Sequence, residues 1–326
     1  MLSVLDLALS NFFSPVILFF ILGFGARLLK SDLEIPGDIS KFIAIYLMMA
    51  IGYKGGYALS QHEFNLQLVT VLLSGVAFSF VLPFLGYFLL GCLGKLRPTE
   101  KSIIASHYGS VSVVTFVTAV DFLMIQNVAY DSWMVAVMAA METPAIFACF
   151  ILINMKAQNN KVTFTSDVWK EIFLNGSVVL LIGSFLIAFF AGAEGMTAVE
   201  PFFVDIFKGV LCLFMIDIGM VAASKLGDKE TKLSASILAF GIIMPLIGAF
   251  LGGVHANLLG LSAGNIMLFA VLCASASYIA VPAALRVAIP HINLAPPLTL
   301  SLAITFPFNI VVGIPIYYAW ANYLAS

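Results

Sequence analysis

Two apolar stretches of this chain carry small polar residues where a lipid-facing helix would carry leucine. Residues 101–125 and 265–289 are each long enough to cross a bilayer, which takes roughly 20 residues. A helix interrupted within such a stretch exposes unpaired N–H groups and a positive dipole end of about half a charge. Two such ends that meet would bind an anion without any arginine. The candidate residues of this site are Gly109, Ser110, Ser112, Val113, Thr115, Ser275, Ala276, Ser277 and Tyr278. The alternative for each small residue is close packing between helices.

Oxygen atoms in the same two stretches also suit a small cation. Glu142 precedes Pro144 in a further apolar segment. The number of positions from Glu142 to Thr305 equals the number from Ser112 to Ser275. A carboxylate beside a turn loosened by proline can ligate sodium or take up a proton, and hydrogen-bonded packing is the third alternative for it. The candidate ligands of a sodium ion are Ser112, Glu142, Ser277 and Thr305.

Lys54 and Asp217 also lie within apolar segments, and the same offset separates them. Ionisable groups inside a membrane are unfavourable and commonly have a partner. We therefore consider a Lys54–Asp217 ion pair, with two side chains that reach the membrane surface independently as the alternative. A sharper hypothesis is that the Lys54 ammonium takes over part of a cation's role.

The composition identifies the class of protein. Hydrophobic residues make up 62% of the 326 residues and charged residues 10%, against about 25% charged in soluble domains. The apolar runs are continuous rather than alternating, which indicates membrane-spanning helices and not a barrel. The four cysteines suggest no disulfide or metal site, and no Walker, zinc, triad or dinucleotide pattern occurs. We expect neither an enzyme nor a nucleic-acid partner, and no cofactor other than sodium as a coupling ion.

Ten apolar segments account for nearly the whole chain. Thirteen of the fifteen lysines and arginines flank the odd-numbered connections, which the positive-inside rule places in the cytoplasm. Both termini are then outside a plasma (inner) membrane, and the first segment is retained as a helix because no cationic start precedes it. The segments are 12–30, 38–59, 67–93, 101–125, 132–155, 172–192, 202–223, 234–259, 264–289 and 298–324.

The spacing of landmark residues predicts an internal repeat of five segments. A unit with an odd number of spans returns to the membrane upside down, and two inverted halves are typical of secondary transporters. We expect residues 1–155 as the first repeat, 156–171 as a cytoplasmic linker and 172–326 as the second repeat. The interrupted fourth and ninth segments would then cross at the membrane midplane. The pairs that share one constant offset include Gly56 and Gly219, Ser112 and Ser275, and Pro144 and Pro307.

Several stretches resemble the sodium-dependent bicarbonate transporters of cyanobacterial type (SbtA-like permeases), over nearly the whole chain. The resemblance implies ten helices in core and gate subdomains, a homotrimer, and bicarbonate bound between the two helix breaks with sodium nearby. It also implies a cytoplasmic PII-like regulator. The matching stretches are IGYKGGYAL at 51–59, YGSVSVVTF at 108–116, METPA at 141–145, MIDIGM at 215–220, ASASYIAVPAALRVAIP at 274–290 and SLAITFPFNIVVGIP at 301–315.

The two breaks depart from the pattern of that family. Val113 and Val114 stand where it has glycine and serine, and Ala276 and Tyr278 where it has serine and aspartate. Glu142 replaces an aspartate. We expect a secondary transporter that imports a small anion, bicarbonate first, with sodium. The alternatives are another small carboxylate, for which the valines would favour an apolar part, coupling to protons through Glu142, a passive anion channel, or a membrane sensor.

Overall fold

The computed structural model describes residues 4–61, 66–93, 96–131, 133–156, 165–174, 176–227, 233–289 and 292–326, and within these ranges it contains helices and no β-strand. Residues 157–164 of the predicted 156–171 linker lie outside them. The helices are α1 (Val4–Phe12), α2 (Pro15–Leu28), α3 (Gly37–Ser60), α4 (Leu66–Leu93), α5 (Pro98–His107), α6 (Val113–Ile125), α7 (Met134–Ala140), α8 (Pro144–Lys156), α9 (Ser166–Leu174), α10 (Gly176–Glu200), α11 (Phe207–Leu226), α12 (Ala235–Leu258), α13 (Ala263–Ala274), α14 (Ala280–Ala288) and α15 (Ala295–Ala325, with π-helical turns).

Seven helical spans in the described part of the chain are long and apolar enough to cross a membrane, or eight if the bent pair α1 and α2 is one span. The chain is therefore an all-α, multi-pass membrane protein. The segments predicted fourth and ninth consist of the shorter helices α5 and α6, and α13 and α14. The ten crossings and the inverted repeat stay predictions.

The first segment begins earlier than the sequence predicted. Its helix starts before residue 12, as α1, and bends by 62° where α2 begins. Pro15 has no N–H to donate to the preceding turn, and the Ser14 hydroxyl accepts a hydrogen bond from the Ile17 N–H, which starts a new helix. Two helices therefore lie where we expected the single segment 12–30.

The helices pack into two groups. In the first, α3 packs along α10 and α11 packs along α2. In the second, α4 packs on α5 and α8, and α12 packs on α13 and α15. Each group therefore draws helices from both halves of the chain.

Gly56 lies at a close approach of α3 to α10. A Cβ at Gly56 would overlap the backbone carbonyl of Phe185, and one at Gly219 would overlap that of Phe20 in the α2–α11 pair. Without a side chain, the two backbones come into direct contact, as small residues allow in membrane proteins. The first helix group is built on these contacts.

Replacing Gly56 with alanine should destabilise the protein, because α3 and α10 would have to separate. We expect a loss of about 1–3 kcal/mol in unfolding free energy, seen as a lower midpoint of thermal unfolding in detergent. Gly183→Ala on α10 is the matched control, since a Cβ there meets nothing within 4 Å. It should be neutral or slightly stabilising, since alanine favours a helix by about 1 kcal/mol over glycine. Equal effects of the two substitutions would contradict the packing account.

Candidate binding site between the interrupted helices

The first interruption runs from Tyr108 to Ser112, between α5 and α6. Ser112 starts α6, since its hydroxyl accepts a hydrogen bond from the Thr115 N–H at 3.2 Å. The first turn of α6 therefore directs its remaining free N–H groups back toward the break. The stretch 101–125 is therefore interrupted, as the sequence predicted.

The second interruption runs from Ser275 to Ile279, between α13 and α14. Pro282 lies in the first turn of α14, where its missing N–H breaks no helical hydrogen bond. The Ser277 N–H donates to the His107 carbonyl at 2.7 Å, which joins this break directly to the end of α5. The two breaks that the sequence predicted are thus in contact.

A narrow cleft lies where the breaks meet, and its enclosed part, about 20 Å³, has room for little more than a water-sized group. One wall comes from the breaks and Glu142, in the second helix group. The other comes from α3 and α11, in the first group. The lining residues are Ala44, Leu47, Met48, Val111, Ser112, Val113, Val114, Glu142, Phe214, Ser277, Tyr278 and Ile279.

The beginnings of α6 and α14 both lie at this cleft. Val113 opens α6 and Ile279 precedes α14, and both line the cleft. Each contributes the positive end of a helix dipole, about half a charge. Their convergence makes the cleft favourable for a negatively charged group.

Glu142 is the acidic residue of the cleft. Its side chain is 5% exposed, and none of the described residues forms a hydrogen bond or ion pair with its carboxylate. Its backbone is fixed, because the Ser110 hydroxyl donates to the Glu142 carbonyl at 2.9 Å and the Ser79 hydroxyl to the Met141 carbonyl at 2.6 Å. A buried carboxylate without a partner is unfavourable, so binding of a cation or a proton beside Glu142 would be stabilising.

Tyr278 brings a hydroxyl to the same cleft. The side chain is half-buried overall, its ring packs edge-on against Phe306 at 6.2 Å, and its hydroxyl is buried. That hydroxyl lies near Ser112 but forms no hydrogen bond of ordinary geometry with any of the described residues. Buried hydroxyls are nearly always hydrogen-bonded in folded proteins. An unsatisfied one at a cleft is therefore a candidate donor to a bound molecule.

Besides Ser110, whose hydroxyl donates to the Glu142 carbonyl, four predicted residues near the breaks do not line the cleft. Gly109 faces α4, where a Cβ would overlap the ring of Pro83. The Ser275 hydroxyl donates to the Val271 carbonyl at 2.8 Å, within its own helix. Thr115 donates to the Ser112 hydroxyl at 2.9 Å, and Ala276 is buried at 3% exposure. These side chains, like the bonded Ser110, shape the breaks rather than face the cleft.

Thr305 also lies away from the cleft. Its hydroxyl donates to the Gly241 carbonyl at 2.8 Å and shares a hydrogen bond with the Tyr108 hydroxyl at 2.7 Å. It therefore ties α15 to α12 and to the first break. Of the predicted sodium ligands, Ser112, Glu142 and Ser277 line the cleft together, and Thr305 does not join them.

The predicted ion pair between Lys54 and Asp217 does not form. The Lys54 ammonium lies 3.8 Å from the centre of the Phe207 ring, and Asp217 interacts with the Ser40 side chain. Because α3 and α11 run in opposite directions along the cleft, these two positions lie toward opposite ends of it. Neither lines the cleft, so a Lys54 ammonium in place of a bound cation is not supported.

The cleft continues into a larger cavity at one end. This cavity, of about 570 Å³, shares Met48, Phe214 and Tyr278 with the cleft and extends past Lys41 and Asp217. In the opposite direction along α11, the Lys208 ammonium lies 2.8 Å from the Asp121 carboxylate of α6. This ion pair joins the two helix groups. We call the larger cavity, which extends past Lys41 and Asp217, the vestibule.

Sequence reasoning missed the wall formed by α3 and α11. Ala44, Leu47, Met48 and Phe214 are ordinary apolar helix residues, and nothing in their types marks them as site residues. The Lys208–Asp121 pair was missed as well, although an acid near the end of an apolar segment is the kind of residue that commonly has a partner.

In this all-helical membrane chain, two interrupted helices meet at a cleft between two helix groups. This is the architecture of a membrane transporter. The chain belongs to the Na⁺-dependent bicarbonate transporter superfamily, because the model of that family matches residues 15–322. The match spans both interruptions and Glu142, and it confirms the resemblance found in the sequence. Membership places the chain among transporters rather than enzymes. No curated protein matches the chain significantly.

Proposed function

We propose that this protein is a secondary active transporter that imports bicarbonate together with sodium. The observation that carries the proposal is the cleft itself, where two helix beginnings converge beside an unpaired carboxylate. The helix ends supply positive potential for an anion, and Glu142 supplies a ligand for a cation. Sodium-stimulated uptake of labelled bicarbonate into proteoliposomes tests it.

Coupling follows from the charges of the site. Glu142 repels an anion as long as the carboxylate is negative and alone. A sodium ion held by Glu142, with the hydroxyls of Ser112 and Ser277 near it, removes that repulsion. Each substrate then improves the binding of the other, which is the thermodynamic requirement for cotransport.

A second candidate is cotransport of a small carboxylate with an apolar part, driven by sodium or by protons. The observation that favours it is the lining of the cleft, where Val113, Val114, Leu47, Met48 and Phe214 outnumber the polar side chains. Such side chains match a short hydrocarbon better than they match a second polar group of the substrate. Competition of acetate and propionate with labelled bicarbonate distinguishes the two candidates.

The predicted topology gives the cleft a direction. The vestibule is lined by Lys41, at the first connection, and by Glu171, at the fifth, both of which the positive-inside rule places in the cytoplasm. The opposite directions of α3 and α11 support the inverted repeat. We infer that the structure is open inward and that the Lys208–Asp121 pair lies on the outer side.

Removal of that pair should favour the outward-open state. Asp121→Asn deletes one partner of a half-exposed ion pair, worth up to about 1 kcal/mol, so we expect labelling of Cys212 by an impermeant thiol reagent to rise up to about fivefold. Cys212 lies one turn beyond Lys208 and is buried. Glu194→Gln, an exposed acid at the same end, is the control. Unchanged labelling in Asp121→Asn would contradict the role of the pair.

The resemblance further suggests a homotrimer and a cytoplasmic PII-like regulator. The exposed apolar face of α10, which includes Ile187 and Phe190, offers a surface for the former. Mass measurement of the detergent-solubilised protein tests the trimer. Residues 157–164 of the central connection lie outside the described residues.

A further inference from the structure

Three basic side chains surround a pocket at the paired ends of α2 and α11, far from the cleft. The pocket has a volume of about 440 Å³ and is lined by Arg27, Leu28, Lys30, Ala223, Ser224, Lys225 and Gly227. Its lining contains no acidic residue. Within the described part of the chain, none of the three cations forms an ion pair, although Asp32 and Glu34 follow in the same connection.

The positive charge exceeds what the helix ends themselves need. Two helix C-termini present about one negative charge together, and cations are favourable beside them. Arg27, Lys30 and Lys225 bring three positive charges. The lining of the pocket is therefore net positive, which favours a negatively charged group there.

Lys30 occupies a backbone conformation that favours glycine. It closes α2 at φ 56°, and the Ser31 N–H donates to the Ala26 carbonyl, as in helix ends that normally use glycine. A non-glycine residue there is strained by about 1–3 kcal/mol. The glycine at the end of α11, Gly227, has φ −76° and does not need that freedom. The strained position thus keeps a cation instead of the residue that fits it best.

Apolar side chains beside the pocket face outward. Leu29 is 85% exposed, Leu28 59% and Leu226 45%. In a protein that spans a membrane, such leucines at helix ends contact acyl chains. Basic groups directly beside them lie at the level of the lipid phosphates.

We propose that Arg27, Lys30 and Lys225 bind the phosphate of an acidic phospholipid, whose acyl chains lie along Leu28, Leu29 and Leu226. The lipid would hold the ends of α2 and α11 at the membrane surface. The same phosphate chemistry would also suit free inorganic phosphate, but the exposed leucines favour the lipid.

The test compares binding of phosphatidylglycerol and phosphatidylcholine to the purified full-length protein by native mass spectrometry, with thermal unfolding as a second readout. The variants are the triple substitution Arg27→Gln, Lys30→Gly and Lys225→Gln, and Lys30→Gly alone. We expect the triple variant to bind phosphatidylglycerol about 100-fold more weakly, at about fivefold per cation. Lys170→Gln, an exposed lysine on α9, should bind normally.

Lys30→Gly distinguishes an effect on lipid binding from an effect on the stability of the fold. Glycine relieves the left-handed strain, so the variant should unfold at the same or a higher temperature in phosphatidylcholine while losing about fivefold in phosphatidylglycerol affinity. Undiminished phosphatidylglycerol binding by the triple variant would overturn the proposal. So would an equal loss in Lys170→Gln, which would indicate unspecific attraction to the surface. Inorganic phosphate is added to the protein in phosphatidylcholine as a further comparison. If it raises the unfolding temperature as much as phosphatidylglycerol does, the ligand is free phosphate and the lipid assignment is wrong.

Discussion

Glu142→Gln should abolish sodium-stimulated uptake. The amide has the size of the carboxylate but no charge, so a sodium ion in the cleft would lose its negative ligand. Removing one partner of a buried charge pair costs about 3–5 kcal/mol, which corresponds to a loss of about 100-fold or more in sodium affinity. The measurement is the initial rate of bicarbonate uptake as a function of sodium concentration.

Glu100→Gln is the control for this substitution. Glu100 lies at the start of α5, where it forms an exposed ion pair with Arg97 at 2.6 Å. Its replacement should leave the sodium dependence unchanged. Sodium-stimulated uptake that persists in Glu142→Gln, with normal protein yield, would contradict the role of Glu142. A pH gradient without sodium could instead drive uptake in the unmodified protein. If Glu142→Gln abolishes that uptake, Glu142 couples transport to protons.

Tyr278→Phe should weaken substrate binding without weakening the fold. The substitution removes only a hydroxyl that forms no ordinary hydrogen bond with the described residues, so little intramolecular stabilisation is lost. A hydrogen bond to a charged group contributes about 1.5–3 kcal/mol, so the apparent KM for the anion should rise about 10- to 100-fold. Kinetics of uptake at saturating sodium measure it.

Thermal unfolding controls for the fold in this experiment, because its midpoint should be unchanged or raised in Tyr278→Phe. Tyr323→Phe, at an exposed position on α15, should transport like the unmodified protein. A normal KM in Tyr278→Phe would mean that the hydroxyl does not reach the substrate.

The interruptions were predictable from the sequence because glycine, serine and proline within an apolar run weaken a membrane helix. Which serine faces the cleft was not predictable. Ser112 and Ser275 occupy equivalent positions by spacing, yet Ser112 caps α6 and lines the cleft, while Ser275 bonds to the Val271 carbonyl of its own helix. The backbone conformation at each break decides this, and residue types do not reveal it.

Spacing also misled the interpretation of Lys54 and Asp217. Equivalent positions in two helices that run in opposite directions meet only if both lie near the middle of the membrane. Lys54 lies several helical turns beyond Lys41, which lines the vestibule, whereas Asp217 lines the vestibule itself. At about 1.5 Å per residue, Lys54 lies about 20 Å along α3 from that end. A constant offset predicts a repeat, but it does not predict a contact between the two positions.

The apolar wall of the cleft could not be predicted for a different reason. Its residues come from α3 and α11, which reach the site only through the packing of one helix group against the other. Their side chains have the same types as those that face lipid. Only the three-dimensional arrangement distinguishes Phe214, at the cleft, from Leu213, which is 49% exposed.

Uptake of labelled bicarbonate by the purified protein in proteoliposomes tests the central claim most directly. Vesicles with an inward sodium gradient are compared with vesicles in equal potassium, and with vesicles that contain Glu142→Gln. The account predicts uptake that requires sodium and disappears in the variant. Uptake of a different carboxylate with no sodium-stimulated uptake of bicarbonate would contradict it.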